Sequence, residues 1–142
     1  MIDKINIKIT TPERVVMSDE VDGVVLPTAM GEIGILPHHI PLVALLAPGE
    51  IRVKKNNEEL LLAVSGGFIE VQPTRVVVLA DTAEHAEEID EQRAEEARKR
   101  AEELRTSKRV DATDFAMVAA KLEKELARLR VARKHRSRRG AT

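Results

Sequence analysis

The stretch EEIDEQRAE, from Glu87 to Glu95, sets five acids and one arginine among only two apolar residues. Such residues can start a helix or hold a ligand. Acids in a first helical turn favour the positive end of the macrodipole and Asp90 can cap that turn, so local physics asks for no ligand. The adjacent histidines of GILPHHIPL, His38 and His39, invite a metal. Neighbours on a strand point to opposite faces, and His85 and His135 stand far along the chain, so a loop between Pro37 and Pro41 is the expected reading, with no metal site. The sequence contains no GxxxxGK[ST] loop, no GxGxxG and no legible Ser-His-Asp order. Gly66-Gly67 falls between apparent strands, where such a pair relieves a bulge or turn. No catalytic site is expected. From Arg128 onward, RLRVARKHRSRRGAT carries seven Lys/Arg and no acid. This is either a solvated frayed tail or a surface for an acidic partner.

The elements that must position these residues divide at a seam near Ala83 to Glu88. All six prolines and six of the seven glycines lie before residue 74. Through residue 86 there are seven Lys/Arg and twelve Asp/Glu, net −5; from 87 onward there are sixteen and twelve, net +4. The first part reads as β throughout. INIKI, RVVM, GVVL, GEIGI, EIRV, ELLLAVS, GFIEV and RVVVLA are short β-branched runs separated by Gly, Pro or Asn. Their spacing predicts a sandwich or barrel of about ten strands. Ile5, Ile7 and Ile9 share one face of the first strand, and KKNNEE at Lys54 to Glu59 is a hairpin tip by composition.

The second part has no proline and is rich in Ala, Glu, Arg and Leu, which predicts two helices. The first runs from about Glu88 to Arg105, and TSKRVDATD breaks it. Asp111 is the expected N-cap of the second, with Asp114 completing a weak capping box. Phe115, Val118, Leu122, Leu126 and Leu129 then form one apolar stripe on a helix to about Lys134. The short connection favours an antiparallel hairpin. Helix one offers Ile89, Ala94, Ala97, Ala101 and Leu104, and an alanine methyl buries only ~0.8 kcal/mol against roughly 1.5–3 for leucine. Weak docking is therefore expected, of a kind that a ligand or partner can override. The resulting class is α+β, with residues 1–86 as a β-sandwich and 87–142 as a helical hairpin with a basic tail.

Composition narrows the functions. Aromatics are 1% of the chain, Phe68 and Phe115 alone, so stacking platforms for nucleic-acid bases are nearly absent. With no cysteine, disulfides and thiolate chemistry are excluded. MIDKINIKIT alternates apolar and polar residues, so a strand is expected there instead of a signal peptide. The longest apolar stretch, Ile40 to Pro48, is far short of the ~20 residues of a membrane helix.

Three segments resemble one family: GEIGILPHHIPLVALLAPGEIRV, LLAVSGGFIEVQPTRVVVLADTAE and EIDEQRAEEARKRAEEL, followed by a second charged helix. They are similar to the epsilon subunit of the F-type ATP synthase, called delta in mitochondria, over nearly the whole chain up to the basic tail. SGGFIEVQP followed by VLADTAE is the most specific part. The resemblance implies a non-catalytic sandwich on the rotating central stalk, beside the gamma subunit and the polar loops of the c-ring. It implies a hairpin that either folds onto the sandwich or extends toward the alpha/beta catalytic head and restrains ATP hydrolysis. The location implied is peripheral, on the cytoplasmic face of the membrane, in a proton-translocating complex. No cofactor is required, and no nucleic acid is expected.

In some bacterial members a motif [I/L]-D-x-x-R-A binds ATP as a regulatory ligand and holds the hairpin down. Here it stands as Ile89, Asp90, Arg93 and Ala94, with Glu84, Arg100 and Arg128 at further matching positions. Where ATP-binding members can offer an arginine one turn before Arg128, this chain has Lys124, a point charge without a bidentate fork. The same resemblance turns Glu32 and the His38-His39 loop toward the c-ring, and sends Arg128, Arg130, Arg133 and Lys134 to acidic residues of the beta subunits. The rival reading is a free-standing nucleotide-sensing or nucleic-acid-binding module built on the hairpin and tail.

Overall fold

A computed structural model describes residues 3–106 and 112–140, together with the backbone assignment of the helix that begins at Ala112. Ten strands come first: β1 (Ile5–Thr10), β2 (Val15–Val21), β3 (Gly23–Thr28), β4 (Gly31–Ile35), β5 (Leu42–Leu46), β6 (Gly49–Lys55), β7 (Glu58–Val64), β8 (Gly67–Gln72), β9 (Arg75–Ala80) and β10 (Ala83–His85). A 3-10 turn at Ala86–Glu88 leads to α1 (Glu91–Thr106) and α2 (Ala112–Gly140). The sheet runs β10-β7-β6-β3-β5-β8-β9-β1-β2, with β4 paired to β3 off that path. Its neighbours are antiparallel except β1 and β9, which lie parallel from Asn6 beside Arg75 to Thr10 beside Leu79. The path folds over itself, so that Lys55 of β6 forms an ion pair with Asp19 of β2.

The alternation read in β1 is met: Ile5, Ile7 and Ile9 are all buried in one core with Leu26, Ile51, Leu62 and Ile69. Asn56 and Asn57 make the β6–β7 tip with positive φ of 51° and 66°, a conformation that asparagine tolerates. β7 is covered on both faces. Leu62 and Val64 point into the sandwich, while Leu61 and Ala63 point out beneath the helices. A doubly covered strand needs no polar alternation, which is why ELLLAV is one apolar run.

The helical half differs from expectation in four places. α1 starts at Glu91, not Glu88, because the chain first makes the 3-10 turn; Asp90 then caps it, its Oδ1 accepting from the Arg93 N–H at 3.1 Å. Leu104 of the expected α1 face is half exposed, while Ala94 and Ala101 of that face are buried as expected. On α2, Leu122 and Leu129 are buried, but Phe115 and Leu126 of the expected stripe are exposed and Ala127, Val131 and Ala132 take their place. α2 also continues past Lys134 to Gly140, since residues expected to fray are tied down by Arg136 to Glu91 and Arg138 to Glu59. The expected N-cap Asp111 lies outside the described residues.

Candidate functional site: the seam between hairpin and sandwich

The outer face of β10, β7 and β6 carries α2. Leu61 and Ala63 of β7, Ala86 and Val131 form a small buried cluster, with Ile89 packed against it. Charged groups surround that cluster. The Arg128 guanidinium reaches Glu84 of β10 through Nε at 3.0 Å and Nη2 at 3.2 Å. Its Nη1 donates to Glu125 at 2.7 Å, a carboxylate only 5% exposed on the same helix. Burial draws the Arg128 guanidinium down, but its hydrogen bond to Glu125 and the charge of Glu84 more than offset this, and its pKa is raised. Lys134 meets Glu50 of β6 at 2.7 Å, and Arg138 meets Glu59 of β7 at 2.6 Å. The hydrogen bond from Arg138 holds the Glu59 carboxyl below its ordinary range. Arg14 of the loop before β2 does the same for Glu88, at 2.9 Å.

The helices clasp each other by the same means. Arg133 reaches Glu91 and Glu95 at 3.3 Å each, and Arg136 reaches Glu91 at 3.1 Å. The start of α1 therefore lies beside the end of α2, which is the antiparallel hairpin expected.

The residues matched to an ATP site are brought partly together. Glu84 and Arg128 are in direct contact, and Ala94 is buried between the helices. Asp90 is spent on the α1 cap and stands 3.8 Å from Arg93, whose side chain is 84% exposed. Arg100 is exposed and Lys124 half-buried. Ile89 opens on a groove of about 530 Å³ beside Ala132, His135 and Arg136. Of the four cations assigned to an acidic partner, Arg128, Arg133 and Lys134 are already paired and Arg130 stands exposed at the rim of a second groove, of about 440 Å³. Glu125 was not anticipated. Its signal was a carboxylate three residues after Leu122 and three before Arg128, inside an apolar stripe.

Glu32 sits on β4, paired with Arg52 at 2.8 Å, and Arg52 also donates to Glu50 at 3.1 Å, so Glu32 stands at the groove that Arg130 and Lys134 also line. His38 lies in the expected turn with φ of 68° and contacts Asp3 at 2.6 Å.

A second surface was missed altogether. On the outer face of β5, β8 and β9, Leu45 lies opposite Phe68, and Phe68 opposite Leu79, in one row across three strands. They are 55%, 55% and 52% exposed, and Val43, two residues along β5 from Leu45, is 71% exposed. A contiguous apolar row on a water-facing sheet is the mark of an interface. Among the described residues no helix is long and apolar enough to cross a membrane.

Two family models match in tandem: the ATP synthase delta/epsilon chain β-sandwich domain over residues 4–86 and its long α-helix domain over 87–133. The ATP synthase epsilon chain of Chloroflexus aggregans is 52% identical over 135 residues, covering 95% of this chain and 96% of its own length. That of Dehalococcoides mccartyi is 53% identical over 133 residues, covering 94% and 95%. Among solved structures, a chain of the Euglena gracilis mitochondrial ATP synthase assembly of OSCP, F1 and c-ring superimposes with a TM-score of 0.77 at 25% identity, over 87% of this chain and 78% of that one. A chain of the Tetrahymena thermophila central stalk and c-ring shares the fold at a TM-score of 0.59 and 13% identity, over 92% and 97%.

Proposed function

Because this chain belongs to the delta/epsilon family of ATP synthase subunits, we propose that it is the central-stalk epsilon subunit of a proton-translocating F-type enzyme, non-catalytic, with a sandwich that carries assembly and a hairpin that regulates hydrolysis. The proposed division falls at residue 86. The sandwich turns with gamma through the Leu45, Phe68 and Leu79 row. Glu32 and His38 face the polar loops of the c-ring, and the complex sits on the cytoplasmic face of the membrane. The observation that carries the regulatory half is the seam itself: a handful of small apolar contacts ringed by ion pairs is a detachable joint. When the hairpin extends toward the alpha/beta head and its helices part, Arg128 and Lys134 give up the carboxylates of the sandwich, Arg133 gives up those of α1, and with Arg130 they become available to acidic residues of the beta subunits. A chain ending after Glu87 tests the division. It is expected to bind gamma and to support ATP synthesis, while the complex hydrolyses ATP faster than with the full chain. Loss of assembly on truncation would overturn this reading.

ATP is the proposed regulatory ligand of the folded hairpin. Ile89 and Ala94 offer an apolar wall for adenine, and Asp90 and Glu84 can accept from its amino group or the ribose. Arg93, Arg100, Lys124 and Arg128 supply the charge for phosphates. In the seam Arg128 is held by Glu84 and Glu125, so phosphate must take it from those carboxylates. Ligand that binds only the folded state adds RT ln(1 + [L]/Kd), about 2.7 kcal/mol at a hundredfold excess. Calorimetry on the purified chain is expected to show ATP binding that Arg93→Ala weakens by about 10- to 100-fold, the effect of losing one charge-assisted contact. Absence of heat at millimolar ATP would return Glu87–Glu95 to the role of a helix start.

A further inference from the structure

The seam has a pattern that neither helix nor sheet needs for its own folding. Pairing register puts Glu84 of β10 opposite Ala63 of β7, and Ala63 opposite Glu50 of β6. One row across three strands thus reads carboxylate, methyl, carboxylate. Glu59 stands on the same face of β7, four residues before Ala63, with Leu61 between them. The helix is the complement. Val131, fully buried, is flanked three residues on either side by Arg128 and Lys134, and Arg138 lies one further turn along. Each cation meets one carboxylate of the sheet, and each of these comes from a different strand: Arg128 to Glu84, Lys134 to Glu50, Arg138 to Glu59. From Arg128 to Arg138 is about 15 Å of helix at 1.5 Å per residue.

We infer that Glu50, Glu59 and Glu84 form an internal acidic template that occupies the basic face of α2 in place of an acidic partner surface, so that release of the hairpin exchanges one set of carboxylates for another. The inference rests on the proposed regulatory reading for its purpose, but not for its physics. The buried apolar cluster at the seam is made of Leu61, Ala63, Ala86 and Val131 with Ile89 packed against it, and three of the four buried members are methyl- or isopropyl-sized. The ion pairs are what orient and hold the helix. An acidic surface that presents carboxylates at the same spacing competes for the same cations at little net electrostatic cost, whereas a neutral or basic surface does not. The docked hairpin is therefore more stable in dilute salt than in concentrated salt, because partly exposed pairs are screened.

The test is hydrogen exchange of the α2 amides between Leu122 and Lys134 in the full chain, free of partners. The triple variant Glu50→Gln, Glu59→Gln, Glu84→Gln is expected to exchange roughly tenfold faster or more, because each lost pair lowers the free energy of local opening. Raising salt from about 20 mM to about 500 mM is expected to speed the native chain several-fold and to leave the variant nearly unmoved. Glu59→Arg alone is expected to accelerate exchange, and Glu59→Arg with Arg138→Glu to restore it, which a merely perturbed sheet would not do. Equal protection of native and triple-variant chains at both salt levels would overturn the template and leave the apolar cluster as the holder. Failure of the regulatory reading would show elsewhere, as an unchanged hydrolysis rate in the complex built with the truncated chain.

Discussion

Replacing Phe68 with aspartate is expected to leave the sandwich folded and to remove the chain from its complex. The ring lies outside the core, 55% exposed on the outer face of β8, and its cross-strand neighbours Leu45 and Leu79 are exposed to the same degree. Aspartate there costs the isolated domain little, because solvated surface changes lie within about 0.5 kcal/mol. In the assembly it would stand at the centre of an apolar row pressed against gamma, where central aromatic anchors carry about 2–4 kcal/mol of binding and a charge must also be desolvated. The affinity for gamma is expected to fall about 30- to 1,000-fold, with the melting temperature of the free chain nearly unchanged. A binding isotherm on gamma checks the first and thermal melting the second. Native affinity in the variant would show that gamma docks elsewhere.

Gly67→Ala is expected to act in the opposite sense, on the fold before any partner is met. Gly67 has φ of +132°, and a Cβ there would stand 1.9 Å from the Leu79 carbonyl oxygen and 2.9 Å from its carbon. These are backbone atoms of the paired strand, so relief requires β8 and β9 to separate where Gly67 faces Ala80. Strain at such a φ alone is about 1–3 kcal/mol, and the clash adds to it. A loss of about 3 kcal/mol or more is expected, lowering the melting midpoint by roughly 10–20 °C. Gly66 is the internal control for space. A Cβ there meets nothing closer than 3.4 Å, so Gly66→Ala suffers the strain of its φ of +131° without the collision. Equal melting of the two variants would show that the close approach to Leu79 is not what fixes Gly67.

These two positions also show how far the sequence could be read. The Gly-Gly pair announced an unusual backbone, but only the register of β8 on β9 reveals which glycine is irreplaceable. β5 escaped notice because its outward residues, Val43 and Leu45, are as apolar as its inward ones. Alternation fails as a signal when both faces are hydrophobic, and the patch that hid the strand is the patch proposed to bind gamma. β10 escaped because three residues carry no period, and it fell in the compositional seam taken as a boundary. The alanine face of α1 was legible, since its consequence depends on residue size alone. The carboxylates that receive Arg128, Lys134 and Arg138 were not legible, because Glu84, Glu50 and Glu59 are brought to one face only by the pairing of β10, β7 and β6. Local patterns thus gave the elements, and long-range register supplied the partners.

The parallel alignment of β1 with β9 bears on how the molecule is made. β1 contributes Ile5, Ile7 and Ile9 to the core, yet it takes its place beside residues 75–79, which leave the ribosome 69 positions later. Until then β1 has only β2 beside it, and an isolated two-stranded ribbon is marginal in water. Non-local pairing of this kind slows folding, because the chain between the strands must be closed before their contact stabilises anything. The sandwich is therefore completed late during synthesis, and the hairpin, which emerges after it, meets a finished surface ready to receive it.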